Sequence, residues 1–239
     1  MQHRSWKKVL QEASSDPHDL LNKLNILDPS LFSEQANKDF PLRAPSGFVD
    51  RINQNDPDDP LLRQVLPAVD EENDLPGFVT DPLNEVNRQV SPGLLHKYHG
   101  RVLLILTGAC AIHCRYCFRR HFPYSDSNPT GANLDKAIDY LTKETSVSEV
   151  ILSGGDPLSV SDERLTDLVT RLAEIPHLKR LRIHTRFPIV VPERINDECL
   201  AWLTKTRLQL AIVLHVNHAN ELDKSVERAL LRLRNHNIP

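Results

Sequence analysis

Residues 102–106, Val-Leu-Leu-Ile-Leu, form an unbroken apolar run with no alternation of polar and apolar positions. That pattern fits a strand buried on both faces. Further strand patterns follow at 149–152, 178–184 and 208–214, and helical periodicity occupies 134–143, 162–174, 192–204 and 221–234. Four strand–helix units in series predict an α/β fold with a parallel sheet and right-handed crossovers. In such folds ligands bind where the strands end and the chain turns into the next helix. Those turns hold the unusual residues: a cysteine-rich loop after the first strand, Ser153-Gly154-Gly155-Asp156-Pro157 after the second, Thr185-Arg186 after the third, and 215–220 after the fourth. All are predicted to face one mouth.

The segment before residue 100 reads differently. Over 5–27, Leu20, Leu21, Leu24 and Leu27 recur at helical spacing behind a cap at Ser15 or Asp16, the pattern of a small helical packing unit. Between 41 and 100 the chain is broken by prolines and Asp pairs, as in Asn55-Asp56-Pro57-Asp58-Asp59-Pro60, and is expected to wrap as short helices and turns. The predicted organisation is a helical extension (1–40), a wrapping segment (41–100) and a (β/α) core (101–239). A closed barrel of this type takes about 250 residues, so four units make a partial TIM-type barrel. The expectation is a chain truncated before barrel closure, with its fourth strand an unpaired edge.

Three of the four cysteines, Cys110, Cys114 and Cys117, fall within eight residues. An odd trio suits a reducing compartment and a metal better than a disulfide framework. Gaps of three and two residues let one loop give a thiolate to each of three irons of a [4Fe–4S] cluster, leaving the fourth iron without a nearby cysteine. A structural zinc site completed by His113 or His121 is the rival, and Cys199 is the remaining thiol, placed in a predicted helix where a small buried hydrophobe is the usual role. Net charge is −3 with acids and bases interleaved, so no nucleic-acid-binding stripe is expected. There is no signal-type apolar region after Met1 and no bilayer-length run, and a cytoplasmic location is predicted.

The Cys110-x3-Cys114-x2-Cys117 spacing, with Tyr116 before the last cysteine, resembles the signature of the radical S-adenosylmethionine (SAM) superfamily. Further stretches resemble the lysine 2,3-aminomutase family within it: Asn55-Asp56-Pro57-Asp58-Asp59-Pro60-Leu61-Leu62-Arg63-Gln64, Pro92-Gly93-Leu94-Leu95-His96-Lys97-Tyr98, Cys114-Arg115-Tyr116-Cys117-Phe118-Arg119-Arg120-His121-Phe122, Ser153-Gly154-Gly155-Asp156-Pro157-Leu158 and Arg182-Ile183-His184-Thr185-Arg186. The resemblance implies an isomerase that converts α-lysine to β-lysine with a [4Fe–4S] cluster, SAM and pyridoxal phosphate. By the same resemblance Arg119 meets the substrate carboxylate. Ser153, Gly154, Gly155 and Asp156 meet the cosubstrate, with the aspartate accepting from its ammonium. Thr185, Arg186 and His218 lie on SAM-contacting loops, and Lys97 and Arg101 reach the pyridoxal phosphate. The partners it implies are lysine, an electron donor for the cluster and, because the likeness is to members that serve elongation factor P, that factor and its ligase. The family's imine-forming lysine and its acids for the substrate's distal amine have no counterpart in this sequence. A radical SAM enzyme working without pyridoxal phosphate and a zinc-binding module stay open as alternatives.

Overall fold

The computed structural model describes residues 5–73, 75–127 and 131–239. Six strands form one sheet in the order β1 (Gln89–Ser91), β2 (Leu94–Tyr98), β3 (Arg101–Thr107), β4 (Glu149–Gly154), β5 (Arg180–Thr185) and β6 (Gln209–Leu214). The first three are antiparallel neighbours and β3 to β6 are parallel. Parallel neighbours need a crossover, and helices Ala132–Lys143, Asp162–Ala173 and Asp197–Thr204 supply the three. The parallel part, β3 to β6, is the predicted α/β sheet of an open, partial barrel.

Every residue of β4 is buried, as its central place between β3 and β5 requires. The Asp162–Ala173 helix explains how a crossover covers the sheet. Ser161 caps it by accepting from Arg164 N, and Leu165, Leu168, Val169 and Leu172 form its buried stripe. Each such leucine or valine contributes about 1.5–3 kcal/mol on leaving water. The outer strand β6 is only half-buried, with Val213 exposed. Its edge, expected to be unpaired, donates one backbone bond, from Ile212 N to Pro239 O at 2.8 Å.

Other expectations need correction. Residues 41–100 are not only short helices and turns, because 89–98 fold into a hairpin that adds β1 and β2 to the sheet. Proline at 92 followed by Gly93 at φ +75° makes the tight turn. Leu27 does not continue the N-terminal stripe. Asp16 caps the Pro17–Lys23 helix by accepting from His18 N (2.7 Å) and Asp19 N (3.2 Å), but Asn25 turns left-handed at φ +56° and leaves Leu27 exposed. The predicted helix 192–204 splits into a turn, Pro192–Arg194, and a helix capped by Asn196. The break lets Arg194 lie fully buried against Trp6, donating to Leu158 O (2.8 Å) and Asp162 (2.7 Å). The last helix begins at Lys224 rather than 221, capped by Asp223. One hydrophobic core draws residues from all three predicted segments, Trp6, Phe48 and Leu152 among them.

Candidate active site

The cysteine loop leaves β3 at Thr107 and is held mainly from outside the sheet. His113 N bonds Arg43 O (2.9 Å), and Arg115 N bonds Gln64 O (2.9 Å). The Arg115 guanidinium grips Glu71 through Nε (2.8 Å) and Nη2 (2.6 Å), and Arg120 reaches the same carboxylate at 2.6 Å. Both arginines and the His113 ring gather on Phe40. Burial pushes the Glu71 carboxyl up, but the Arg115 bond, helped by Ala68 N and Arg120, outweighs it and holds the group below its usual value. Charges this far from water persist only when paired.

All three loop thiols are free and half-buried. Burial pushes the Cys110 thiol well up, with Asp156, Cys114 and Cys117 pushing the same way. Cys117 is raised by burial and by Cys114, against a bond from Arg119 N. The thiols are thus electrostatic neighbours. Among the described residues, however, no three His, Cys, Asp or Glu side chains close on a point that would hold one metal ion. Three neighbouring thiols on one loop are the donor set that a [4Fe–4S] cluster takes. His113 has Nδ1 on Pro41 O (2.8 Å) and its ring stacked on Phe40 at 4.8 Å. Cys199 is fully buried in the core, its thiol pushed up to about 12 by burial.

The loop after β4 packs directly on the cysteine loop. Gly155 N bonds Thr107 O (2.7 Å) and Asp156 N bonds Ala109 O (2.8 Å). Gly154 takes φ +120°, and a Cβ there would lie 2.6 Å from Thr107 O; one on Gly155 would lie 2.5 Å from Ala109 O. Glycine is required at both positions by the neighbouring backbone. Asp156, expected to accept from an ammonium, carries three hydrogen bonds from within the protein. It accepts from Thr185 Oγ1 (2.7 Å), Arg186 N (2.7 Å) and Leu158 N (3.0 Å) and so ties the β4 loop to the β5 loop. Burial raises its pKa to about 6, against the pull of those bonds. Thr185 completes the bracket by accepting from Phe187 N (3.0 Å).

Arg186 reaches the thiols. Nη1 contacts Cys114 Sγ (2.7 Å) and Tyr116 OH (2.6 Å), while Nη2 contacts Gln64 Oε1 and Glu221 Oε2 (3.0 Å). Its Nε, on the same edge as Nη2, is buried without a hydrogen-bond partner among the described residues. Glu221, fully buried, also accepts from Gln64 Nε2, Asn217 N and His218 N. His218 lies on the loop after β6, the loop on which the resemblance put it. It is exposed, and its Nδ1 accepts from Asn220 N (3.1 Å) to cap its own turn. His215 is the histidine set edge-on to Tyr116, at 5.8 Å.

Arg119 lies buried at the mouth, paired with Glu85 and bonded to Ser153 Oγ (2.8 Å). Lys97 and Arg101 are not brought to the thiols. They flank Tyr98, each 5.5 Å from its ring, at the turn where β3 begins. A seven-residue strand, about 20 Å long, separates that turn from the cysteine loop. Gln64, Glu71, Glu85 and Glu221 escaped the sequence reading. Of these, only Gln64 lay in a stretch that carried the family resemblance.

The Radical SAM superfamily model matches residues 104–238. The chain is 48% identical over 231 residues to L-lysine 2,3-aminomutase of Escherichia coli (strain K12), covering 96% of this chain and 67% of that protein. Against the enzyme of the same name from Haemophilus influenzae the identity is 44%, covering 99% and 70%. The chain belongs to the lysine 2,3-aminomutase family of the radical SAM superfamily. The Clostridium subterminale member is 40% identical over 193 residues, 80% of this chain and 46% of that enzyme.

Proposed function

We propose that this radical SAM isomerase converts α-lysine to β-lysine. The reading is carried by the convergence at one mouth of three neighbouring thiols, Arg186 against Cys114, and Arg119 against the end of β4. The three thiols would hold a [4Fe–4S] cluster, which supplies the electron that splits the sulfonium of SAM. Arg186, its charge balanced by Glu221 and its Nη1 against Cys114, would contact the cosubstrate beside the cluster. Arg119 orients the lysine carboxylate, a charge-assisted bond of about 1.5–3 kcal/mol. The Asp156 bracket holds the β4 and β5 loops at a fixed distance, so that the two arginines keep their relative placement.

Pyridoxal phosphate is the second cofactor in this reading, and the Lys97 and Arg101 cations fit its phosphate in charge. We further propose that the β-lysine supplies a ligase acting on elongation factor P, that an external donor reduces the cluster, and that the reaction is cytoplasmic. No helix of the described residues is long and apolar enough to cross a membrane.

Incubating the anaerobically reconstituted holoenzyme with lysine, SAM and a reductant is expected to yield β-lysine, detected by mass spectrometry. Cleavage of SAM without β-lysine would overturn the assignment in favour of another radical SAM reaction.

A further inference from the structure

Arg119 meets the mouth with one of its two donor edges already taken. Nε and Nη2 each lie 2.7 Å from a Glu85 carboxylate oxygen, a fork against a fork, and both residues are buried. Nη1 points away from Glu85, toward Ser153 Oγ at 2.8 Å and Gly154 O at 3.4 Å. Glu85 is itself held in place. The Asp81 carboxylate accepts from Glu85 N (2.9 Å) and Val86 N (3.1 Å), and Lys97 Nζ donates to Leu83 O (3.2 Å), which fastens this turn to β2.

We propose that Glu85 is a positioning residue that fixes which edge of Arg119 the substrate meets. A guanidinium is planar and carries five N–H donors in a rigid array. With Glu85 on the Nε/Nη2 edge, Nη1 is turned to the end of β4, where it already bonds Ser153 Oγ, and an incoming carboxylate meets the remaining Nη donors already oriented. The side-chain entropy of ordering Arg119 is then met on folding rather than on binding. Glu85 also balances the buried guanidinium before substrate arrives. The inference rests on Arg119 as the carboxylate site of a lysine isomerase. If Glu85 were instead a stand-in that substrate displaces, its removal would tighten binding, the opposite sign.

The test compares wild type with Glu85→Gln as anaerobic holoenzymes. Lysine and 1,5-diaminopentane, which lacks the carboxylate, are titrated calorimetrically; KM, kcat, iron content and SAM cleavage without substrate are also measured. The expected result is a lysine Kd and KM raised roughly tenfold, with kcat changed less, diamine binding equal in the two proteins, and iron content and SAM cleavage as in wild type. Glu85→Asp, which keeps the charge on a shorter arm, should fall between. Unchanged or tighter lysine binding overturns the inference, as does equal weakening of both ligands or loss of iron from Glu85→Gln. Wild type that binds lysine no better than the diamine also overturns it. Carboxylate-dependent lysine binding in a wild type that forms no β-lysine would refute the proposed reaction while supporting the role of Glu85.

Discussion

The cysteine loop and the Gly154-Gly155-Asp156 loop lie against each other at the mouth, yet they are fastened by different means. The first is gripped largely by side chains and carbonyls from residues 36–71, with Glu71 as the shared anchor of Arg115 and Arg120. The second is locked by backbone bonds to Thr107 and Ala109, and no side chain fits at its glycines. A grip of side chains weakens by degrees, because each ion pair is one of several contacts. A backbone lock fails at once, because a single Cβ forces two loops apart.

The largest effect should therefore come from Gly155→Ala, whose new methyl would meet Ala109 O at 2.5 Å. Stability is expected to fall by about 1–3 kcal/mol, read as a lower melting temperature of cluster-free protein together with reduced iron uptake. A melting temperature equal to wild type would break the comparison.

Asp156→Asn should come next and sharpen the account through pH. Its carboxyl titrates near 6 in the folded protein and near 3.8 when exposed, so between those values the native state holds a proton that the unfolded chain has lost. Stability from this group is full below about 3.8 and declines as pH rises toward 6. Urea unfolding of cluster-free protein across that window should show the decline in wild type and its absence in Asp156→Asn. A slope unchanged by the substitution would show that Asp156 is not the group responsible.

The smallest effect belongs to Glu71→Gln, which removes the charge shared by two arginines but leaves the Phe40 and Ala36 carbonyls on Arg115. The fold should persist, while the loaded protein gives up iron to a chelator several-fold faster. Chelation at the wild-type rate would show that the grip of residues 36–71 does not matter to the site.

The comparison also explains what the sequence could reveal. The apolar run at 102–106 and the helical periods after it foretold four parallel strands, because burial on both faces leaves an unmistakable composition. The cysteine spacing was legible for a similar reason, since a local motif carries its own geometry. The hairpin at 89–98 was missed because its strands are short and half-exposed, as in β1 and the outer half of β2. Asp156 sits where a ligand contact was expected, but a carboxylate after two glycines reads the same whether it accepts from a ligand or from Thr185 and Arg186. The partners of the arginines were hidden most deeply. Glu85 lies 34 residues from Arg119 and Glu71 lies 44 from Arg115, and no periodicity connects residues so far apart.

The most direct test is the metal and sulfide content of the anaerobically reconstituted protein, beside Cys114→Ala treated alike. Iron and acid-labile sulfide at about four each per chain, with a brown chromophore that disappears in the variant while the fold remains, is the predicted result. A single zinc per chain without sulfide, or a variant that keeps its iron, would contradict the claim that these three thiols hold a cluster.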